Sequence, residues 1–161
     1  MPFNFYRKIQ NVDRVSYERC CCGLAIPLMY QYLYLEAAKK GAKDSAFHIK
    51  IKAKLDELLE LIEKKPDDKT INERIDVIDR QIFGAGKAKE DITCEDSVRL
   101  FSALYGAETG NLALKILPYG GVYLLSSITH ALKESIIKDT IFIVRVIEYY
   151  GFRTISWRRE E

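Results

Sequence analysis

The sequence is poor in the residues that most often carry catalysis or metal binding. It holds two histidines, four cysteines and one tryptophan in 161 residues. Three of the cysteines are consecutive (Cys20, Cys21, Cys22) and Cys94 stands alone. Adjacent cysteines seldom pair, and a secreted scaffold would space them out, so a disulfide framework is excluded and buried reduced thiols are expected. No CxxC or HxxxH spacing occurs, which removes the usual zinc patterns. His48 and His130 have no acid or nucleophile at a telling offset, so neither reads as a catalytic base. Walker-type GxxxxGK[ST], GxGxxG and GxSxG are all missing. Net charge is nearly missing too: 25 basic residues against 23 acidic ones leave +2. That balance gives no electrostatic case for nucleic acid or an anionic membrane. No apolar run is long enough to span a bilayer, so no membrane span is expected. The N-terminus, MPFNFYRKIQ, has no hydrophobic signal core, and a cytoplasmic location is the expectation.

What is present is ordinary globular composition, 48% hydrophobic and 30% charged. The length suits a single domain with a sizeable core. Phe3, Phe5, Tyr6, Ile9 and Val12 give a weak helical pattern. Ser16 is placed to cap the next segment, although Arg19 rather than an acid or amide stands at the third helical position. Leu24 to Lys40 is apolar nearly all round and predicts a largely buried helix, with Pro27 tolerated in its first turn and Gly41 ending it. Residues 45–64 give the clearest amphipathic helix, with Ile51, Leu55, Leu58, Leu59 and Ile62 on one face. Thr70-Ile-Asn-Glu73 reads as a capping box opening a helix with Ile71, Ile75, Ile78 and Ile82 on one side. Gly84-Ala-Gly86 is expected to end it. Thr93-Cys-Glu-Asp96 starts another helix that runs through Gly106 and Gly110 to Leu117. The stretches 64–68 and 84–92 are the expected exposed loops.

Gly106–Ser127 organises the rest. A helix with two glycines on one face meets the break Pro118-Tyr119-Gly120-Gly121, then the apolar run Val122–Leu125, expected as a short buried strand. Ser126-Ser127 follows as a polar turn, and residues 130–138 predict a short helix. Helix, glycine break, strand and helix is the layout of an α/β sheet, in which ligands sit beyond the carboxyl ends of strands. Thr140–Tyr150 reads as strand by its β-branched residues but is apolar on both faces, and Phe152–Trp157 is a further strand candidate. The class is helix-rich α/β with few strands. One or two strands do not make an independent sheet. Either they pair with another chain, or this polypeptide is part of a larger fold.

Several of these stretches, in order, resemble the C-terminal half of bacterial-type glucokinases. Arg14-Val-Ser-Tyr-Glu-Arg19 followed by Gly23 is similar to the family's VS-x-ER-x-x-SG-x-GL segment. Leu28-Met-Tyr-Gln-Tyr-Leu33 resembles the helix after it. Asp91-Ile-Thr93 matches its DIT, Gly110-Asn-Leu-Ala-Leu114 its GNLAL, and Gly120-Gly121-Val-Tyr123 with Ile128 its GGV-[FY]-(I/L)-AGGI. The resemblance covers nearly the whole of residues 1–161, as one large-domain segment. It implies a partial ribonuclease-H-like, actin/hexokinase-type ATPase domain. The family phosphorylates glucose with ATP and magnesium.

Carried over by position, Glu18 is the acid that hydrogen-bonds a sugar hydroxyl. Gly110, Asn111, Ser126 and Ser127 line the adenosine end of the ATP site. The residues depart from the family pattern in places. The phosphate-binding DxGGT loop, the catalytic-base aspartate of NDF, the GTGLG loop and EGGH do not occur. The family's Ser-Gly-Pro-Gly is Cys22-Gly23-Leu24-Ala25, its second Gly-Gly is Ser126-Ser127, and its KGR is blurred to Tyr150-Gly151-Phe152. No catalytic residue is assigned. Two roles follow from the resemblance: a glucokinase-like polypeptide that works with a second polypeptide supplying the other half, or a non-catalytic structural or interaction subunit. Both imply another protein chain covering the incomplete sheet. A truncated gene model is the third alternative.

Overall fold

The computed structural model describes residues 2–9, 13–65, 67–118 and 121–133. They form seven helices: α1 (Pro2–Ile9), α2 (Tyr17–Cys20), α3 (Ala25–Lys39), α4 (Ala46–Lys64), α5 (Ile71–Lys87), α6 (Ile92–Ile116) and α7 (Ser127–Ala131). The chain divides into two compact units, Met1–Phe101 and Ser102–Glu161, the division falling within α6.

In the first unit α5 packs against both α3 and α4, and α1 packs against α3 and α4. The α4 stripe Ile51, Leu55, Leu58 and Ile62 and the α5 stripe Ile71, Ile75, Ile78 and Ile82 are all buried, as their helical spacing predicts. Full burial of such a side chain is worth about 1.5–3 kcal/mol, so these two stripes dominate the hairpin. Arg74 adds a 2.7 Å ion pair to Glu57 across it. Glu57 is exposed and Arg74 half-buried, so solvent screens the pair and it contributes at most about 1 kcal/mol.

Helix α3 is buried at every residue from Ala25 to Tyr30, so its apolar character all round reflects a central position. Gly41 ends it at φ +85°, a conformation in which a Cβ would be strained. Helix α1 is tied to α3 by the buried Tyr6 hydroxyl, which donates to Ala25 O at 2.7 Å. At the head of α4 the Ser45 hydroxyl accepts from His48 N at 3.0 Å.

Helix α5 departs from expectation at both ends. Thr70 sits in helical backbone geometry and makes no side-chain cap, because a capping side chain needs an extended residue behind it. Asp68 serves instead: its Oδ1 accepts from Thr70 N at 2.8 Å and from Thr70 Oγ1 at 2.7 Å. At the other end Gly84 and Gly86 lie inside the helix, which continues to Lys87. It stops in a Schellman arrangement: Glu90 N donates to Ala85 O and Lys89 N to Gly86 O. The left-handed residue is Lys89, at φ +56°, where a glycine is usual.

Helix α6 forms across the expected span, with the buried Asp91 at its head: Cys94 N donates to Asp91 Oδ1 at 2.8 Å. It ends at Ile116, and Leu117 after it takes a positive φ just before Pro118. The strand expected at Val122–Leu125 is not formed. Those residues carry no regular structure, and Val122, Tyr123 and Leu125 are 38%, 78% and 82% exposed. A strand exists only with a neighbour to complete its ladder, and no strand occurs among the described residues. The helix-rich part of the class therefore holds. The strand candidates 140–150 and 152–157 lie outside the described residues, as does most of the helix expected over 130–138.

Candidate functional site

Glu18 lies in the first turn of α2, a four-residue helix. Ser16 precedes it in extended geometry, but its hydroxyl makes no capping bond. What holds this short helix is packing. Cys20 is 2% exposed, and its thiol is pushed up in pKa by burial and by the neighbouring Cys22. Burial likewise raises the Cys22 thiol. The Tyr6 ring is buried beside the cysteine run, and burial raises its hydroxyl pKa. Glu18 itself is exposed, so its carboxylate faces solvent from an anchored turn. A carboxylate accepts hydrogen bonds only, which suits it to reading the positions of ligand hydroxyls.

The turn after Cys22 meets an acid on α5. Asp79 follows Ile75 by one helical turn, on the buried stripe, and is 7% exposed. A Cβ placed on Gly23 would stand 3.2 Å from Asp79 Oδ2. Asp79 Oδ1 has no hydrogen-bond partner. Burial, helped by Asp76, raises this carboxyl to about 8. Sequence reasoning missed Asp79, although an acid at i+4 from Ile75 on an apolar stripe was the visible signal.

The other four site residues lie in the second unit. Gly106, Thr109 and Gly110 form a buried face of α6, where Thr109 Oγ1 donates to Tyr105 O at 2.8 Å. Asn111 is half-buried, and its Nδ2 donates to Glu108 Oε2 at 3.2 Å. Ser126 is the N-cap of α7, in extended geometry. Its hydroxyl accepts from Thr129 N at 3.0 Å and lies 2.8 Å from Thr129 Oγ1. Thr129 Oγ1 in turn shares a hydrogen bond of 3.0 Å with the Tyr105 hydroxyl. The chain Ser126–Thr129–Tyr105 therefore ties the serine turn to α6 five residues before Gly110. Ser127 is exposed. Gly121 takes φ +96°, a conformation that favours glycine, and Gly120 lies outside the described residues.

Among the described residues no group of three or more His, Cys, Asp or Glu side chains is arranged to hold a metal ion. All four cysteines are free thiols, two of them buried. His48 is packed: its ring stacks on Tyr34 at 3.5 Å and its Nδ1 shares a 3.2 Å hydrogen bond with the Tyr30 hydroxyl. No helix among the described residues is long and apolar enough to cross a membrane.

The family whose sequence model matches is Glucokinase, over residues 4–148. The chain is similar to the glucokinase of Nostoc punctiforme, 34% identical over 118 residues, which is 73% of this chain and 31% of that protein. It is similar to the glucokinase of Synechocystis sp., 30% identical over 124 residues, 77% of this chain and 31% of that one. The glucokinase of Trichormus variabilis is 32% identical over 118 residues, again 31% of its length. The match thus spans less than a third of each of these relatives. No solved structure matches the chain significantly.

Proposed function

The chain belongs to the glucokinase family, and from that premise we propose that it forms one part of a site for ATP-dependent phosphorylation of glucose at its 6-hydroxyl. It does so only together with polypeptide that these 161 residues do not contain. The carrying observation is the family match over residues 4–148. It includes the segment in which Glu18 stands exposed on an anchored turn. In this reading Glu18 accepts a hydrogen bond from a sugar hydroxyl. Gly110, Asn111 and the Ser126-Ser127 turn face the adenosine end of ATP. The complete fold is of the ribonuclease-H/actin-like type, its sheet supplied largely from outside these residues.

Phosphoryl transfer asks the protein for positioning, charge stabilisation and a base. The phosphate loop and the base aspartate are absent from this sequence. Magnesium accompanies ATP in the family, but the described residues offer it no cluster of ligands. The chain by itself therefore binds and orients, and turnover requires the complementary segment. A coupled glucose-6-phosphate assay on the purified chain should show no turnover. Thermal denaturation should show stabilisation by glucose, about 2.7 kcal/mol at a hundredfold excess over Kd, reduced in Glu18→Gln. No stabilisation at high glucose would refute Glu18 as a sugar ligand.

One observation favours a second reading, a glucokinase-derived structural or interaction subunit. Ser126 satisfies the α7 N-terminus with its own side chain, and Thr129 links it on to Tyr105. Where the family has bare glycine backbone, this turn is closed on itself. Copurification in a stable assembly with neither glucose nor nucleotide bound would support that role. The double variant Ser126→Gly, Ser127→Gly should gain affinity for a non-hydrolysable ATP analogue if the serines are what excludes it.

A further inference from the structure

We propose that Asp79 is a positioning residue for the Glu18 turn: from α5 its carboxyl is wedged against Gly23 and holds the Tyr17–Gly23 segment in the form that presents Glu18. The functional half of this inference rests on the reading of Glu18 as a sugar ligand.

Asp79 occupies a place on the buried stripe where the α5 pattern calls for an apolar residue, and Ile78 and Ile82 beside it are 1% and 0% exposed. Its Oδ1 is buried with no partner, an arrangement that folding alone disfavours and that calls for an explanation. Its Oδ2 fills the space left by the missing side chain of Gly23, at 3.2 Å from where a Cβ would stand. Glycine and acid are thus matched across the α3–α5 contact. The rest of the segment is held by Cys20 in the core, and just beyond it Tyr6 donates to Ala25 O at the start of α3. Of these holds, only the Asp79 contact joins the turn to α5 through a carboxyl.

That makes the contact sensitive to protonation. The titratable groups whose fields reach the pair are Asp76 on α5 and the Cys22 thiol on the turn itself. The first turn of α3 carries no acid, and α4 meets α5 with Glu57, which is paired with Arg74. Burial raises the carboxyl to about 8, so it is neutral at pH 7 and ionises above that. A carboxylate must be hydrated. Ionisation therefore draws Asp79 away from Gly23 and frees the turn.

Limited trypsinolysis reads the turn directly, as the rate of cleavage after Arg19 divided by that after Lys69 in the α4–α5 connection. In the wild-type chain the ratio should rise about tenfold from pH 7 to pH 9, following the ionised fraction. In Asp79→Asn, which keeps the shape but cannot ionise, it should stay flat. No rise in wild type, or an equal rise in the variant, overturns the proposal. Glucose-dependent thermal stabilisation is the second arm: present at pH 7 and lost at pH 9 in wild type, retained at both in Asp79→Asn. Equal stabilisation of wild type at both pH values also overturns it. A trypsin contrast with no glucose effect at either pH supports the hold of Asp79 on the turn and refutes the sugar reading of Glu18.

Discussion

Gly84 and Gly86 stand two residues apart in the last turns of α5, yet alanine should act on them in opposite directions. Gly84 is exposed, and a Cβ built there meets nothing within 4 Å. Alanine at such a helical position gains about 0.5–1 kcal/mol, because glycine loses more backbone entropy on folding. Gly86 is buried, and its Cβ would stand 3.0 Å from Cys94 O, 3.1 Å from Cys94 C and 3.2 Å from Val98 Cγ2. The first two are backbone atoms near the head of α6, and they cannot rotate aside. Forcing a methyl into such a contact costs about 1–3 kcal/mol, which outweighs the propensity gain. The propensity gain is common to both, so the two variants should differ by the contact cost, about 1–3 kcal/mol, with Gly84→Ala above wild type and Gly86→Ala below. Urea denaturation followed by circular dichroism at 222 nm measures this. In a thermal scan 1 kcal/mol corresponds to about 4–8 °C for a unit of this size. Adding Val98→Ala to Gly86→Ala should not restore stability, because the Cys94 carbonyl stays in place. Equal shifts of the same sign, or full rescue by Val98→Ala, would refute the reasoning.

Three further outcomes follow from single contacts. Asp91→Ala removes the side-chain acceptor of Cys94 N at the head of α6 and should cost about 1–2 kcal/mol in urea denaturation; no loss would mean water replaces the cap. Lys89→Gly relieves a left-handed non-glycine residue and should raise the thermal midpoint, by about 1 kcal/mol of stability; a lowered midpoint would show that the lysine side chain matters more than its backbone. His48 is buried, and burial holds its pKa below the ordinary value of 6.5. The unfolded chain then takes up the proton first, so stability is fully present above pH 6.5 and falls as pH drops towards the folded value. Melting midpoints between pH 7.5 and 5 should fall in wild type and fall less in His48→Gln; parallel curves would place the acid sensitivity elsewhere.

Much of the helical layout was legible because the apolar residues of α4 and α5 repeat at helical spacing, and the stripe residues from Ile51 to Ile82 found the core, except Leu59 at the stripe's edge, which is half-buried. The ends of α5 were not legible. Thr70 and Glu73 have the letters of a capping box, but capping depends on backbone geometry, and Asp68 took the Thr70 amide. Gly84 and Gly86 look like terminators because glycine often ends helices. Gly86 is instead a packing residue whose reason lies on α6, a neighbour in space. Val122–Leu125 has the composition of a strand, but composition supplies no partner for its backbone.

The same division runs through the candidate site. Glu18, Gly110, Asn111 and the serine pair were picked out from motifs, which are local runs of letters. Asp79 and the Ser126–Thr129–Tyr105 chain were not, because each depends on residues far apart in sequence. The sequence by itself determined the course of the long helices α3 to α6, which faces of α4 and α5 are apolar, and the glucokinase family. It could do so because periodicity and motif order are properties of the chain taken in line. Only the tertiary structure decided that Gly23 meets Asp79, that Gly86 meets Cys94 and that Ser126 closes its own turn. Those facts follow from which surfaces are pressed together and which polar groups lose water there, and burial, not the letter, sets what a carboxyl or an imidazole does.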